Sequence, residues 1–334
     1  MTNRLKIDAH THILPPQLPR WADKFGYAGF IHLEHDETAR TADMMRGDTF
    51  FRRIKSNCWD AQERIEEYAN HQTKVQVVCT IPVLFSYWAK PQDGAEIATF
   101  LNDHIAQLVY DFPQHYIGLA TLPMQDTNLA IKELERCKQI GMAGIQIGSN
   151  INDINLDDAR FFPIFEACQQ LDMAVMVHPW NMMGQAHIQK YWLPWLVGMP
   201  AETTRAICSL LFGGVFERLP DVRFCFAHAG GSFVFTIGRI EHGFNCRPDL
   251  VAIDNQINPR NYLGKFWVDS ITHDATALQF IINAIGVDKV MFGTDYPFPL
   301  GDLEMGVFME NMNLAEADLD AIFHKNVKHW LYGN

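Results

Sequence analysis

The chain has 334 residues, of which 48% are hydrophobic and 20% are charged, so it has ample material for a buried core. Its formal net charge is −12 and it carries no basic stripe, which argues against nucleic acid as a partner, because phosphate binding needs clustered cations. The first residues lack the apolar stretch of a signal peptide. No run of about 18 apolar residues predicts a membrane span.

Eight short apolar runs alternate with helical patterns along the chain. The runs occupy residues 7–12, 75–82, 116–123, 144–148, 173–179, 222–228, 266–269 and 289–295. Helices are predicted at residues 60–72, 95–110, 128–140, 158–171, 201–219 and 275–285. A further helix, which contains Arg239, follows the sixth run, and a helical tail ends the chain.

This alternation predicts an α/β protein. Parallel strands that are covered on both faces have near-continuous apolar sequences, and eight βα units fit a (β/α)8 TIM barrel, in one domain over residues 1–334. No Gly-x-Gly-x-x-Gly follows the first strand, which weakens the alternative of an open dinucleotide-binding sheet.

The seven cysteines form no Cys-x-x-Cys pair and several lie in apolar runs, so we expect reduced cysteines in a cytosolic protein.

Two long segments interrupt the pattern, and connections of this length are usually functional. Residues 14–58, after strand 1, are rich in Pro, Gly, His and charge, so we expect an irregular insertion. Within it Arg52 could reach an anionic substrate, although composition alone favours a solvated arginine. Residues 180–200, after strand 5, form an aromatic insertion that includes Trp192 and Trp195.

Ionisable side chains stand where the predicted strands end. His10 and His12 end strand 1, and because side chains alternate along a strand, both project to the same side. The others are His178 on strand 5, His228 on strand 6, Asp269 on strand 7 and Asp295 on strand 8. In a TIM barrel these ends meet at one mouth. Imidazoles and a carboxylate suit a divalent ion such as Zn²⁺ with a water completing its shell, so the sequence predicts a metal site.

This order of strand-end groups resembles the amidohydrolase superfamily. Longer motifs, at residues 57–60, 85–91, 191–204 and 293–301, resemble the decarboxylase branch of that superfamily. The resemblance runs from the first strand to about residue 300 and includes both insertions. It implies a metal-dependent carbon–carbon lyase that removes CO₂, without oxidation, from a semialdehyde of an aminocarboxymuconate, formed in tryptophan or nitroaromatic breakdown.

The resemblance also implies the roles of the strand-end groups. Members with two metals bridge them through a modified lysine at the end of strand 4, and residues 144–149 contain no lysine, so we predict one Zn²⁺ per subunit and no organic cofactor. The implied ligands are His10, His12, His178 and Asp295. His228 is implied as the base that activates the bound water, with a role as fifth ligand left open, and Asp295 or an acid beside it returns the proton.

Four more residues are implied in substrate binding. Arg52 matches a position that holds a substrate carboxylate, and Arg239 matches one that reaches the neighbouring subunit's site, which implies a homodimer. Arginine suits a dicarboxylate because its planar fork pairs with carboxylates bidentately. Trp195 and Phe298 match aromatic residues of the pocket, although ordinary packing would explain them equally well.

Three other functions stay open at this point. A hydroxybenzoate decarboxylase of the same branch, some of which prefer Mn²⁺, would share the ligands, although residues 191–204 argue against it. A hydrolase of an amide or lactone is compatible with the ligands alone. A non-catalytic barrel is the third, and the intact ligand positions argue against it.

Overall fold

The computed structural model describes residues 4–333. The strands are β1 (Lys6–Ile13), β2 (Ile31–Asp36), β3 (Thr41–Arg46), β4 (Thr49–Lys55), β5 (Thr73–Thr80), β6 (Tyr116–Ala120), β7 (Gly144–Gly148), β8 (Asn150–Ile151), β9 (Ile154–Asn155), β10 (Ala174–His178), β11 (Phe224–Phe226), β12 (Trp267–Asp269) and β13 (Val290–Met291). Eight of them form one parallel sheet in the order β1-β5-β6-β7-β10-β11-β12-β13. These eight are the strands that the apolar runs predict.

The helices lie mainly between these strands. They are α1 (Trp21–Phe25), α2 (Ala61–Asn70), α3 (Pro91–Asp111), α4 (Thr127–Gln139), α5 (Phe162–Gln170), α6 (Met199–Phe212), α7 (Val215–Arg218), α8 (Ala227–Gly230, a left-handed turn), α9 (Phe233–Cys246), α10 (Pro248–Val251), α11 (Ala275–Ile285), α12 (Val307–Glu310), α13 (Glu316–Asp320) and α14 (Asn326–Tyr332). None of the helices within residues 4–333 is long and apolar enough to cross a membrane.

Backbone hydrogen bonds join the two ends of the sheet. Ala9 N donates to Phe292 O at 2.8 Å, and Asp295 N donates to His10 O at 2.9 Å. The side chain of Asp8 reinforces this seam, because its Oδ1 accepts from Thr294 N at 3.1 Å. The predicted (β/α)8 barrel of the α/β class is therefore confirmed.

The lower end of the barrel is filled by the carboxyl-terminal helix. Trp330 on α14 is fully buried beneath the barrel and packs in one cluster with inward-facing residues such as Met176 and Met291. Its indole Nε1 donates to Arg223 O at 3.0 Å. The carboxyl ends of the strands lie at the opposite end, so the site residues project into the upper mouth.

A β-bulge in β1 aims the two histidines. Asp8 pairs with Gln76 and Thr11 pairs with Val78, so two residues of β1 stand opposite one of β5. The extra residue shifts the alternation: Ala9 faces the barrel interior, and His10 and His12 also face inward. Simple alternation explains His10 and His12 but does not reveal the bulge.

The expectation of an irregular segment at residues 14–58 is wrong. This segment contains α1 and the antiparallel sheet β2-β3-β4. One face of the sheet is buried through Ile31, Met44 and Ile54, whereas the other is charged. Because many of the intervening residues are charged or exposed, the apolar alternation is too weak to stand out from a loop.

Two predicted helices also need correction. The helix expected at 201–219 begins at Met199 and breaks after Phe212, where Gly214 adopts a positive φ of 70° before α7 begins. The helix expected at 158–171 begins only at Phe162, with a proline in its first turn. Both boundaries follow from local backbone preferences of Gly and Pro that the apolar pattern does not register.

Candidate metal centre and active site

Five of the side chains singled out at the strand ends converge at the mouth of the barrel. His10 Nε2 lies 3.2 Å from His12 Nε2, and His12 Nε2 lies 2.9 Å from Asp295 Oδ1. His178 Nε2 is 4.0 Å from the same carboxylate oxygen, and His228 Nε2 is 3.4 Å from Asp295 Oδ2. Ligand atoms of His10, His178, His228 and Asp295 all lie within 4.8 Å of one another. The barrel thus brings groups from strands β1, β10, β11 and β13 to one point.

The hydrogen bonds of the three buried histidines fix which nitrogen carries a proton. His10 Nδ1 donates to Asp269 Oδ2 at 2.8 Å, and His12 Nδ1 donates to Thr80 O at 3.0 Å. His178 Nδ1 donates to Pro179 O at 3.0 Å. Carbonyl and carboxylate oxygens only accept, so each Nδ1 carries a proton, and in the form of these rings that can bind a metal the unprotonated nitrogen is Nε2. Each Nε2 then presents its lone pair to the centre of the cluster.

A divalent cation fits this arrangement. His178 Nε2 is buried and has no hydrogen-bond partner among the described residues, so its lone pair is otherwise unsatisfied. The Nε2 atoms of His10 and His12 face each other at 3.2 Å, and two lone pairs at that distance need a positive group between them or beside them. Imidazole nitrogens with one carboxylate oxygen form a donor set suited to Zn²⁺ and related ions.

Electrostatics keep these groups in states that can bind a metal. Burial alone would raise the pKa of the Asp295 carboxyl, but the close contacts with the rings of His12, His228 and His10 hold that pKa well below its ordinary value. Burial and the neighbouring histidines lower the pKa of His178 far below its ordinary value. At neutral pH the site therefore offers a carboxylate and a neutral imidazole.

His228 differs from the other three histidines. It belongs to the left-handed turn after β11, and its side chain is partly exposed to a neighbouring cavity that Phe235 and His273 also line. Burial would lower its pKa, but the hydrogen bond with Asp295 and the negative charges of Asp295 and Asp269 together outweigh burial and raise that pKa above its ordinary value. The raised pKa favours uptake of a proton by His228, and Asp295 Oδ2, 3.4 Å from Nε2, lies where it can accept a hydrogen bond from the protonated ring.

An apolar cavity opens above the cluster. It is lined by His12, His178 and Asp295 at its base, by Phe51, Trp180, Trp192, Trp195 and Phe298 along its walls, and by Arg52. Among the described residues that line it, Arg52 is the only lysine or arginine. Such a cavity suits a flat, unsaturated molecule with a negative charge on one side.

The guanidinium of Arg52 is held by aromatic rings. It lies 5.0 Å from the ring centre of Phe298, 5.6 Å from that of Trp195 and 6.0 Å from that of Phe51. Within residues 4–333 it has no carboxylate partner. Its hydrogen-bonding fork is therefore available to a carboxylate in the cavity. Phe51 was not singled out from the sequence, although it directly precedes Arg52.

Arg239 is not part of this cavity. It lies on α9 with an exposed side chain and has no ion-pair partner among residues 4–333. One turn before it, Phe235 is 52% exposed and stacks on Phe280, which is 46% exposed, at 5.1 Å between ring centres. The surface beside Arg239 is thus apolar and uncovered in the single chain.

Two buried acids support the site: Asp269, which the sequence placed at a strand end without a specific role, and Glu202, which it did not single out. Asp269 contacts His10, as described above. Glu202 on α6 accepts from Met183 N at 3.0 Å and from Ser149 Oγ at 3.1 Å, so it ties the aromatic segment to the end of β7. The available signal was a charged residue within the apolar start of a helix, inside the 191–204 motif.

Comparisons with known proteins place the chain in a family. The model of the amidohydrolase family matches residues 7–328. The chain is 58% identical over 309 residues to a 2-amino-3-carboxymuconate-6-semialdehyde decarboxylase of Dictyostelium discoideum, covering 92% of this chain and 86% of the relative. It is 36% identical to a protein of the same name in Caenorhabditis elegans, covering 96% and 92%.

Solved structures agree on the fold. The apo form of Metarhizium anisopliae IDCase has a TM-score of 0.83 at 21% identity and covers 99% of this chain and 98% of its own. A dihydroxybenzoic acid decarboxylase from Polaromonas sp. JS666, with bound manganese and the inhibitor 2-nitroresorcinol, has a TM-score of 0.79 at 22% identity and covers 99% and 97%. The chain therefore belongs to the amidohydrolase family, in the group that contains the Dictyostelium and Caenorhabditis decarboxylases.

Proposed function

We propose that this protein is a metal-dependent carboxy-lyase that converts 2-amino-3-carboxymuconate 6-semialdehyde into 2-aminomuconate 6-semialdehyde and CO₂. The observation that carries the proposal is the meeting, in one apolar cavity, of a metal-ligand cluster and the unpaired guanidinium of Arg52. The relatives at 58% and 36% identity, both named as decarboxylases of this substrate, support it.

His10, His12, His178 and Asp295 would hold one divalent ion, which we propose to be Zn²⁺. When bound, such an ion acts as a Lewis acid that polarises oxygens and lowers the pKa of water. Three imidazole nitrogens and one carboxylate oxygen are typical of zinc. Manganese is the alternative, since the Polaromonas decarboxylase structure contains it.

Arg52 and the aromatic walls would orient the substrate. The fork of Arg52 pairs with a carboxylate that is retained in the product, while Trp195 and Phe298 cover the planar conjugated chain. A carboxylate departs most easily when its C–C bond stands perpendicular to the conjugated plane, because the electrons left behind then enter the π system. The aromatic residues also exclude bulk water from the reacting carbon.

His228 and Asp295 would manage the proton. Loss of CO₂ breaks one C–C bond, and the carbon that retains the electron pair takes up one proton. His228 Nε2 and Asp295 Oδ2, 3.4 Å apart, share a proton position at the base of the cavity. We assign His228 Nε2 to accept a proton from a water molecule as the reaction starts, and Asp295, or an acid beside it, to take that proton from His228 and return it to the carbon.

The proposed reaction is tested with freshly prepared substrate. Protein loaded with zinc should accelerate the loss of the long-wavelength absorbance beyond the spontaneous cyclisation and release one CO₂ per substrate. A panel of hydroxybenzoates, amides and lactones provides the comparison, and these should react far more slowly. If fully zinc-loaded protein does not accelerate the reaction, the proposed substrate is wrong. Turnover of a hydroxybenzoate would then identify the protein as a hydroxybenzoate decarboxylase.

Arg239 would complete the site of a second subunit in a homodimer. The uncovered Phe235–Phe280 pair beside it supports an interface there.

Arg52→Ala and Arg239→Ala should each raise KM about 10- to 100-fold, because each removes a charge-assisted hydrogen-bond donor. A heterodimer of the two variants, purified through two tags, should recover about half of the wild-type kcat/KM, since one of its two sites contains both arginines.

A matched heterodimer controls for this recovery. Pairing Arg52→Ala with His228→Ala leaves a defect in both sites, so its activity should stay at the level of its parents. If the Arg52→Ala/Arg239→Ala heterodimer also stays at that level, Arg239 does not act across an interface.

We also infer a reducing, cytosolic setting. All seven cysteines are free and five of them are buried, so the fold uses none in a disulfide. In such a setting the substrate would come from tryptophan or nitroaromatic breakdown.

A further inference from the structure

The turn that carries His228 has an unusual backbone. His228 has φ 55° and ψ 52°, and Ala229 has φ 55° and ψ 29°. Gly230 and Gly231 follow with φ of 74° and 62°. Four successive residues thus have positive φ, and for the two that carry a Cβ this costs on the order of 1 kcal/mol each or more. Some other group must hold the turn in this shape.

Asp269 supplies that group. Its carboxylate is completely buried, and Oδ2 accepts from His228 N at 2.8 Å while Oδ1 accepts from Ala229 N at 2.8 Å. Ile271 N donates to Oδ1 as well, at 3.1 Å. Successive N–H groups of a left-handed turn form a concave anion site, and here a carboxylate of the chain itself fills it.

The same carboxylate orients a proposed metal ligand. Oδ2 of Asp269 also accepts from His10 Nδ1 at 2.8 Å, and this bond leaves the lone pair of His10 on Nε2. One side chain therefore contacts both the ring of His10 and the backbone of His228. No other described carboxylate makes both of these contacts.

We infer that Asp269 is a positioning residue that couples the metal ligand His10 to the proton-transfer residue His228. Its carboxylate fixes the tautomer of His10 and, with its other hydrogen bonds, holds the left-handed turn that points His228 at Asp295. The part that concerns proton transfer rests on the proposed function, whereas the part that concerns metal binding does not.

An amide cannot replace this carboxylate. The two oxygens of Asp269 accept from four donors, of which one is His10 Nδ1 and three are backbone N–H groups. In Asp269→Asn, an amide NH₂ must face either His10 Nδ1 or the N–H groups of Ala229 and Ile271. When the NH₂ faces His10 Nδ1, it favours the tautomer of His10 that has the proton on Nε2. When the NH₂ faces the turn, its N–H groups lie against the N–H groups of Ala229 and Ile271, and no hydrogen bond forms.

The test compares Asp269→Asn with Glu133→Gln, a buried acid on α4 that hydrogen-bonds Asn102 and Arg136 away from the mouth. Metal affinity, measured by competition with a chelator in the absence of substrate, should fall about 10- to 100-fold in Asp269→Asn and stay unchanged in Glu133→Gln. The absorption spectrum of the Co²⁺-loaded form should change only in Asp269→Asn. Wild-type affinity together with a wild-type spectrum would overturn the inference.

A second variant separates the two contacts. Adding Ala229→Gly to Asp269→Asn removes the Cβ strain of the turn, because glycine adopts positive φ freely. At saturating metal, the double variant should have a kcat at least severalfold higher than that of Asp269→Asn and should regain the wild-type pH profile. It should not regain the wild-type metal affinity. Recovery of neither, with the circular dichroism of both proteins native, would show that Asp269 does not hold the turn for His228. If Asp269→Asn loses metal affinity and the wild-type protein does not turn over the proposed substrate, the role of Asp269 in metal binding stands and the proposed function fails.

Discussion

Replacing His228 with alanine should lower kcat about 100- to 10,000-fold while the protein keeps its metal. The imidazole lies 3.4 Å from Asp295 and is the most exposed of the four clustered histidines, so its removal should delete the proposed proton acceptor without deleting a strong ligand. KM should change much less, because the contact proposed between Arg52 and a substrate carboxylate is untouched. Steady-state kinetics and metal analysis of the same preparation check both statements.

His329→Ala is the matched control for this variant. His329 packs against Trp267 beneath the barrel, far from the mouth, so its replacement should leave kcat unchanged. A His228→Ala protein that keeps its metal and most of its activity would contradict the assignment of the base. If that variant loses its metal, His228 is a fifth ligand.

Removing the metal should reduce turnover at least about 1,000-fold. A Lewis acid lowers the activation free energy by several kcal/mol, and each 1.36 kcal/mol changes the rate by a factor of about ten. The metal-free protein should also unfold at a lower temperature. A ligand that binds only the folded state stabilises it by about 4 kcal/mol at 1,000 times its dissociation constant. Readdition of one equivalent of Zn²⁺ per chain should restore both properties.

The control for metal removal is Asp295→Asn, which lacks the carboxylate of the cluster. Its melting temperature should respond little to chelator or to added Zn²⁺, because the donor set is incomplete. Full activity of exhaustively chelated wild-type protein would contradict metal dependence. Restoration by Mn²⁺ but not by Zn²⁺ would correct the identity of the metal while preserving the ligand set.

The parts of the fold that the sequence predicts are those with a strong apolar period. Strands such as β7 and β10 are buried on both faces, so their sequences are apolar throughout and their ends can be located to within a few residues. The position of a histidine or aspartate at such an end then places it at the barrel mouth. This reasoning brings His10, His178 and Asp295 together without any knowledge of side-chain contacts.

The other features of the site and the fold depend on contacts that no local sequence pattern indicates. The acceptors for His12 and His178 are the carbonyls of Thr80 and Pro179, and every residue has a carbonyl. The role of Asp269 depends on backbone N–H groups in a left-handed turn that is distant in sequence. The antiparallel sheet at β2–β4 was missed because only one of its faces is buried.

Closure of the barrel has a consequence for how the protein is made. The seam between the first and last strands joins groups such as Asp8 and Thr294, which are 286 positions apart. Contacts at that separation carry a large loop-closure entropy, so we expect them to form late in folding. A nascent chain that has emerged from the ribosome only as far as β12 contains His10, His12, His178 and His228 but lacks Asp295. We therefore expect the chain to bind the proposed ion tightly only when synthesis is nearly complete, so metal binding would report the last step of folding.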